Sequence, residues 1–150
     1  MDEIDYGQVV DAIRREDPRY ERRAYFFLRD ALDYTVNAVR KAEIKAGKAR
    51  GTSHVTGQEL VEGIRDYALQ QFGPMAHHVL TQWGITRCGD FGEMVYQLIA
   101  KGVFSKTDTD RQEDFAELYD FDAAFVKPFL PKRPRRLLPP VASAEATEPL

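Results

Sequence analysis

The chain has 150 residues, 43% of them hydrophobic and 30% charged, with a formal net charge of −3. Its 16 Phe and Tyr side chains and one Trp can build a core, which excludes a wholly disordered chain. No apolar run is long enough to span a bilayer, and the acidic start MDEIDYGQ lacks the apolar region of a signal peptide. One cysteine, Cys88, excludes an internal disulfide or a multi-cysteine zinc site, so the expected compartment is the cytoplasm.

Taken in chain order, a short helix fits Ile4 to Arg15, with Ile4, Val9, Val10 and Ile13 apolar, and Pro18 closes it off. Over 19–45, Tyr20, Ala24, Phe27, Leu28, Ala31, Thr35, Ala38, Val39 and Ala42 recur at helical spacing, predicting a long helix with one buried stripe. Gly47 to Ser53 reads as a flexible basic loop. Thr56 and Glu59 form a capping box for a helix over 56–72 that buries Leu60, Ile64, Ala68 and Phe72. Gly73 and Pro74 separate it from a helix over 74–83, with Met75, Val79, Leu80 and Trp83 facing inward. Asp90 is the expected cap of a helix over 90–101 that buries Phe91, Val95, Leu98 and Ile99. Beyond Gly102, alternation of Phe115, Glu117, Tyr119 and Phe121 suggests a small β-hairpin over 103–121, although a helix over 111–119 also fits. Six of the eight prolines lie from Pro128 onward, and 131–150 reads as a disordered Pro/Arg-rich tail. The expected fold class is therefore mostly α with a minor β part: one domain over 1–130, with a helix-turn-helix or winged-helix-like middle.

Charge is unevenly spread. Residues 14–50 carry 11 basic and 6 acidic side chains, a balance of +5, whereas 101–126 carry 3 basic and 7 acidic, a balance of −4. Opposed patches favour oriented encounter with a charged partner. In a DNA-binding version of the expected fold, helix 90–101 would enter the major groove. Its off-core positions are Asp90, Gly92, Glu93, Tyr96, Gln97 and Lys101, and Asp108, Asp110, Glu113 and Asp114 follow in the wing. Carboxylates there repel phosphates, so duplex DNA is not the expected partner of this helix.

Several stretches carry a family resemblance. They are His54-Val55-Thr56-Gly57-Gln58-Glu59-Leu60-Val61-Glu62-Gly63-Ile64-Arg65, Tyr67-Ala68, Gln71-Phe72-Gly73-Pro74-Met75-Ala76, Trp83-Gly84, Asp90-Phe91-Gly92, Ser105-Lys106-Thr107 and Tyr119-Asp120-Phe121. Together they resemble a small uncharacterised bacterial family found in planctomycetes and verrucomicrobia. The resemblance runs from about Tyr20 to Phe129. It implies one compact domain and no activity, cofactor or catalytic residue.

The chemistry-bearing residues have plainer explanations. His54, His77, His78, Cys88 and Asp90 lack metal-ligand spacing, and adjacent His77 and His78 diverge by about 100° on a helix. Cys88 precedes a helix N-terminus, yet Asp90 beside it opposes thiolate formation, so it reads as a structural thiol. No phosphate-loop or dinucleotide pattern is present, so no cofactor is expected. Two surfaces remain. The polar helix face Gln58, Glu62, Arg65, Asp66 and Gln70 is a candidate protein-contact surface. Arg40, Lys41, Lys45, Lys48 and Arg50, with Lys132, Arg133, Arg135 and Arg136 in the tail, form a candidate patch for an anionic partner. The expected function is thus a non-enzymatic cytoplasmic interaction or regulatory module with a protein partner. The alternative is an RNA- or ribosome-associated protein using the basic patch. A third reading is an enzyme with a pocket near Cys88, His77 and Glu93.

Overall fold

Local side-chain chemistry fixes most of the helix ends. The computed structural model of the chain describes residues 5–47, 55–104, 115 and 118–130. The Asp5 carboxylate accepts the amides of Gly7 and Gln8 and starts α1 (Tyr6–Glu16). α2 (Arg22–Ala46) runs until Gly47 closes it with a left-handed backbone. α3 (Gly57–Phe72) opens with the expected capping box: the Thr56 hydroxyl accepts the Glu59 amide at 3.0 Å, and the Glu59 carboxylate accepts the Thr56 amide at 2.9 Å. A single 3-10 turn, Gly73–Met75, leads into the short α4 (Ala76–Gln82), and α5 (Cys88–Ala100) completes the set.

α2 and α3 form the most extensive helix pair. Their close approach depends on Gly63, where an added Cβ would lie 1.8 Å from the Thr35 hydroxyl. Thr35 is itself buried, and its hydroxyl donates to the Ala31 carbonyl at 2.7 Å, so no polar group is orphaned at the crossing. α1 packs on α2 and α5, and α3 touches α4 and α5. The core between them holds Tyr20, Tyr25, Leu28, Ile64, Leu80, Phe91, Leu98 and Phe125, all fully buried. Each such apolar side chain contributes about 2 kcal/mol through its burial.

The helical reading of the chain holds, but its β part does not. Among the described residues there is no strand: where the segment 103–121 expected as a hairpin is described it consists mainly of bends, and helical turns follow it. Residues 105–114, 116 and 117 lie outside the described residues. Phe121 leads into a π-helical turn, Asp122–Val126, followed by a 3-10 turn, Lys127–Phe129. The alternation of Phe115, Tyr119 and Phe121 was misleading, because the relevant spacing is Phe121 to Phe125, four apart, with both rings buried and 5.0 Å between their centres. Among the described residues no wing is seen. The helix-turn-helix comparison also weakens, since α4 spans only seven residues and packs on α3 and the π-helical turn.

Smaller corrections follow from packing. The long helix begins at Arg22 rather than 19, and its buried stripe stops at Thr35; Ala38 and Ala42 are exposed, because α2 outruns the helices that cover it. Met75 is exposed and Trp83 only half-buried. The basic loop (from 48 on) and the tail 131–150 lie outside the described residues.

Candidate functional site

One face of α2 presents Arg23, Phe26, Phe27 and Asp30, at spacings of three, four and seven that place them in one stripe. The end of α3 brings Tyr67, Gln71 and Phe72 opposite them, and Trp83 closes the far side. Trp83 is fixed at the C-terminus of α4, where its carbonyl accepts the Glu21 amide at 3.1 Å, tying that turn to the start of α2. Gly84 follows with φ 93°, and an added Cβ would lie 2.4 Å from the Arg19 carbonyl oxygen, so the turn needs glycine twice over.

These eight residues enclose an open cleft of about 300 Å³. Phe27 is its buried floor, while Phe26, Tyr67, Phe72 and Trp83 are half-buried walls. Ring centres lie 5.4 Å apart for Phe27 and Trp83, 5.5 Å for Phe27 and Tyr67, and 5.7 Å for Phe72 and Trp83, with the last pair edge-on at 80°. Arg23, Asp30 and Gln71 are exposed at the rim. Phe26 is further held by the guanidinium groups of Arg22 and Arg29, each 5.0 Å from its ring centre. Burial, with a smaller contribution from Asp30, pushes the Tyr67 hydroxyl above its usual range, so it stays protonated and able to donate. The lining has no thiol, imidazole or amine. What it presents is apolar contact, aromatic rings and two opposite charges.

A contrasting polar node lies where the loop after α1 meets α5. Asp90 is buried three residues into the helix, not its exposed cap, because its carboxylate is used as an acceptor from several sides. It accepts the Tyr20 hydroxyl at 2.6 Å and the amides of Thr86 and Arg87 at 2.9 and 3.2 Å. Burial, and then this carboxylate, hold the Tyr20 hydroxyl well above the usual range. Nearby, the Tyr25 hydroxyl donates to the Gln97 side-chain carbonyl at 2.6 Å, and the Gln97 amide donates to Asp17 at 3.0 Å. Arg19 hydrogen-bonds Asp17 and holds its carboxyl below the usual carboxylate range; it also reaches Glu93 at 3.3 Å. Asp90, Glu93 and Gln97, read from sequence as groove-facing positions, are therefore occupied within the fold.

The sequence-derived sites are dispersed. Gln58, Glu62 and Asp66 are exposed along α3. Arg65 leans over the Tyr119 ring at 5.8 Å, while the Gln70 amide turns to the Tyr34 hydroxyl on α2 at 2.8 Å. Arg40, Lys41 and Lys45 are exposed on the last turns of α2; Lys48, Arg50, Lys132, Arg133, Arg135 and Arg136 lie outside the described residues. The enzyme reading finds its residues differently employed. The Cys88 thiol is buried and donates to the Tyr119 carbonyl at 3.3 Å, His77 faces Asp122 at 3.7 Å, and Glu93 meets Arg19. Among the described residues no three His, Cys, Asp or Glu side chains converge as metal ligands; His54 is outside them. No described helix is long and apolar enough to cross a membrane.

Sequence reasoning placed Phe27, Phe72 and Trp83 in the interior and missed the cleft they share. The α2 stripe, an aromatic pair between an arginine and an aspartate, was the available signal. Comparison with known protein families, curated proteins and solved structures finds no match, and so adds nothing to the bacterial family resemblance.

Proposed function

We propose that the protein is a non-enzymatic interaction module whose contact face is the α2–α3 side, with the aromatic cleft at its centre. The observation that carries this reading is that Phe26, Tyr67, Phe72 and Trp83 stay half-exposed in one concavity. Tryptophan and tyrosine in a recess, ringed by polar groups, is the composition of an interface anchor point. The exposed Arg23, Asp30 and Gln71 give the cleft a polar margin. A cytoplasmic location belongs to the same proposal; its support is the single cysteine, which leaves no pair to oxidise.

The test is site-specific photocrosslinking. A benzophenone side chain at Gln71 should capture one polypeptide in cell extract, whereas the same group at the exposed Arg15 on α1 should not. The captured protein, identified and purified, should bind the wild-type chain and lose that binding with Trp83→Ala. Equal background from both positions refutes the reading.

A further inference from the structure

The cleft is electrically polar along its length. Arg23 and Asp30 lie seven residues apart on α2, about 10 Å along the helix axis, with Phe26 and Phe27 between them. Both are exposed, and neither has an ion-pair partner among the described residues. On the same helices Arg22 pairs with Asp11 at 2.9 Å and Arg65 with Asp66 at 3.3 Å, while Asp33, Arg40, Lys41 and Glu62 have no ion-pair partner among the described residues either; what sets Arg23 and Asp30 apart is that both line the cleft. The cleft thus offers an unneutralised cation at one end, an unneutralised anion at the other, and an aromatic trough between.

We infer that the cleft takes an extended polypeptide segment in which bulky apolar side chains stand between an acidic and a basic residue, the acid seated at Arg23 and the base at Asp30. This rests on the interaction reading above. A peptide in the three-residue-per-turn polyproline II extension advances about 3.1 Å per residue and brings every third side chain to the same side, so two charges three residues apart face the cleft across about 9 Å, close to the interval between Arg23 and Asp30. A cleft of about 300 Å³ lies at the lower end of the range for small-molecule sites, a size suited to one or two side chains. A basic partner end gains further from Tyr67, on the Asp30 side, whose ring face attracts cations. A nucleic-acid strand would stack on the same rings, but its repeating phosphates would meet Asp30, and Arg23 is the lining's single cation. Charge complementarity therefore favours a mixed-charge peptide.

Trp83 is the chain's one tryptophan, so its fluorescence reports occupancy directly. The full-length protein is titrated with three blocked tetrapeptides: Glu-Leu-Phe-Lys, Glu-Leu-Phe-Glu and Lys-Leu-Phe-Lys. The mixed-charge peptide should bind about tenfold tighter than either like-charged one at low salt. Arg23→Glu should shift the preference to Lys-Leu-Phe-Lys, and Asp30→Lys should shift it to Glu-Leu-Phe-Glu. These are gains of binding that a misfolded variant could not give. Equal binding of all three peptides, no binding into the millimolar range, or tighter binding of a short oligothymidylate would each overturn the inference. If any of these occurs while the Gln71 crosslink persists, only the charge rule fails. If the crosslink is also absent, the interaction reading falls with it.

Discussion

The node around Asp90 and the cleft around Trp83 are both built from aromatic side chains, yet they are finished in opposite ways. At the node, the Tyr20 and Tyr25 rings are fully buried and each hydroxyl has an acceptor, Asp90 and Gln97. At the cleft, Phe27, Tyr67, Phe72 and Trp83 pack at tilted angles, with Phe72 and Trp83 edge-on, and the last three keep part of their surface open. Saturated hydrogen bonds in a low-dielectric interior select one arrangement, because every alternative strands a polar group. Ring-on-ring contact is far less directional, so a newcomer can join without breaking a bond. The first region fixes the fold; the second, in the proposed function, is the part left able to associate.

Breaking the node should give the largest effect. Asp90→Ala strands the Tyr20 hydroxyl and two amides, and should lower unfolding free energy by about 3 kcal/mol with an unchanged denaturant slope. A loss below about 1 kcal/mol would show that water replaces the carboxylate. Alkaline titration examines the same contrast without mutation. Burial raises the hydroxyls of Tyr6, Tyr20, Tyr25 and Tyr119, with Tyr25 pushed up to about 12. Their contribution to stability is whole below the unfolded value near pH 10 and declines above it, because unfolded phenols ionise where folded ones do not. Phenolate absorbance should therefore rise in step with loss of helical circular dichroism. Smooth titration of every tyrosine before unfolding would show the rings to be accessible.

The frame of the cleft comes next. Gly63→Ala drives a methyl into Thr35 and should cost about 2 kcal/mol, with partial rescue by Thr35→Ala in the double variant. Additive losses would place the strain elsewhere. Trp83→Ala should cost only about 2 kcal/mol, less than a core aromatic, because part of its ring is already in water. A loss of about 4 kcal/mol would make the cleft part of the core and erase the contrast. Asp17→Asn is the mildest change, under about 1 kcal/mol at neutral pH. Arg19 depresses the Asp17 carboxyl, so the wild-type advantage is present above about pH 4 and disappears as the pH falls through the folded value.

What the sequence revealed depended on how far apart the partners lie. The α3 capping box was legible because Thr56 and Glu59 are three residues apart and each side chain accepts the other's backbone amide. The α3 stripe was legible for the same reason, since Leu60, Ile64 and Ala68 face one side whatever packs there. Asp90 was misplaced because its decisive partner, Tyr20, lies 70 residues away. The cleft draws on three separate helices, and only its α2 wall has a periodic signature. The hairpin failed because three aromatic residues at alternate positions imitate a strand, although Phe121 and Phe125 form one side of a helical turn.

The last helical turns also set a schedule. Phe125 has no exposed surface, Phe121 stacks on Phe91 at 5.8 Å, and the Tyr119 hydroxyl donates to the Val61 carbonyl at 3.0 Å. During synthesis this segment is the last part of the described domain to be made, and until it emerges the side of Phe91 that Phe121 will cover has no partner. The domain can close only when translation is nearly through residue 130, so a nascent chain halted sooner would present that greasy surface to chaperones and proteases.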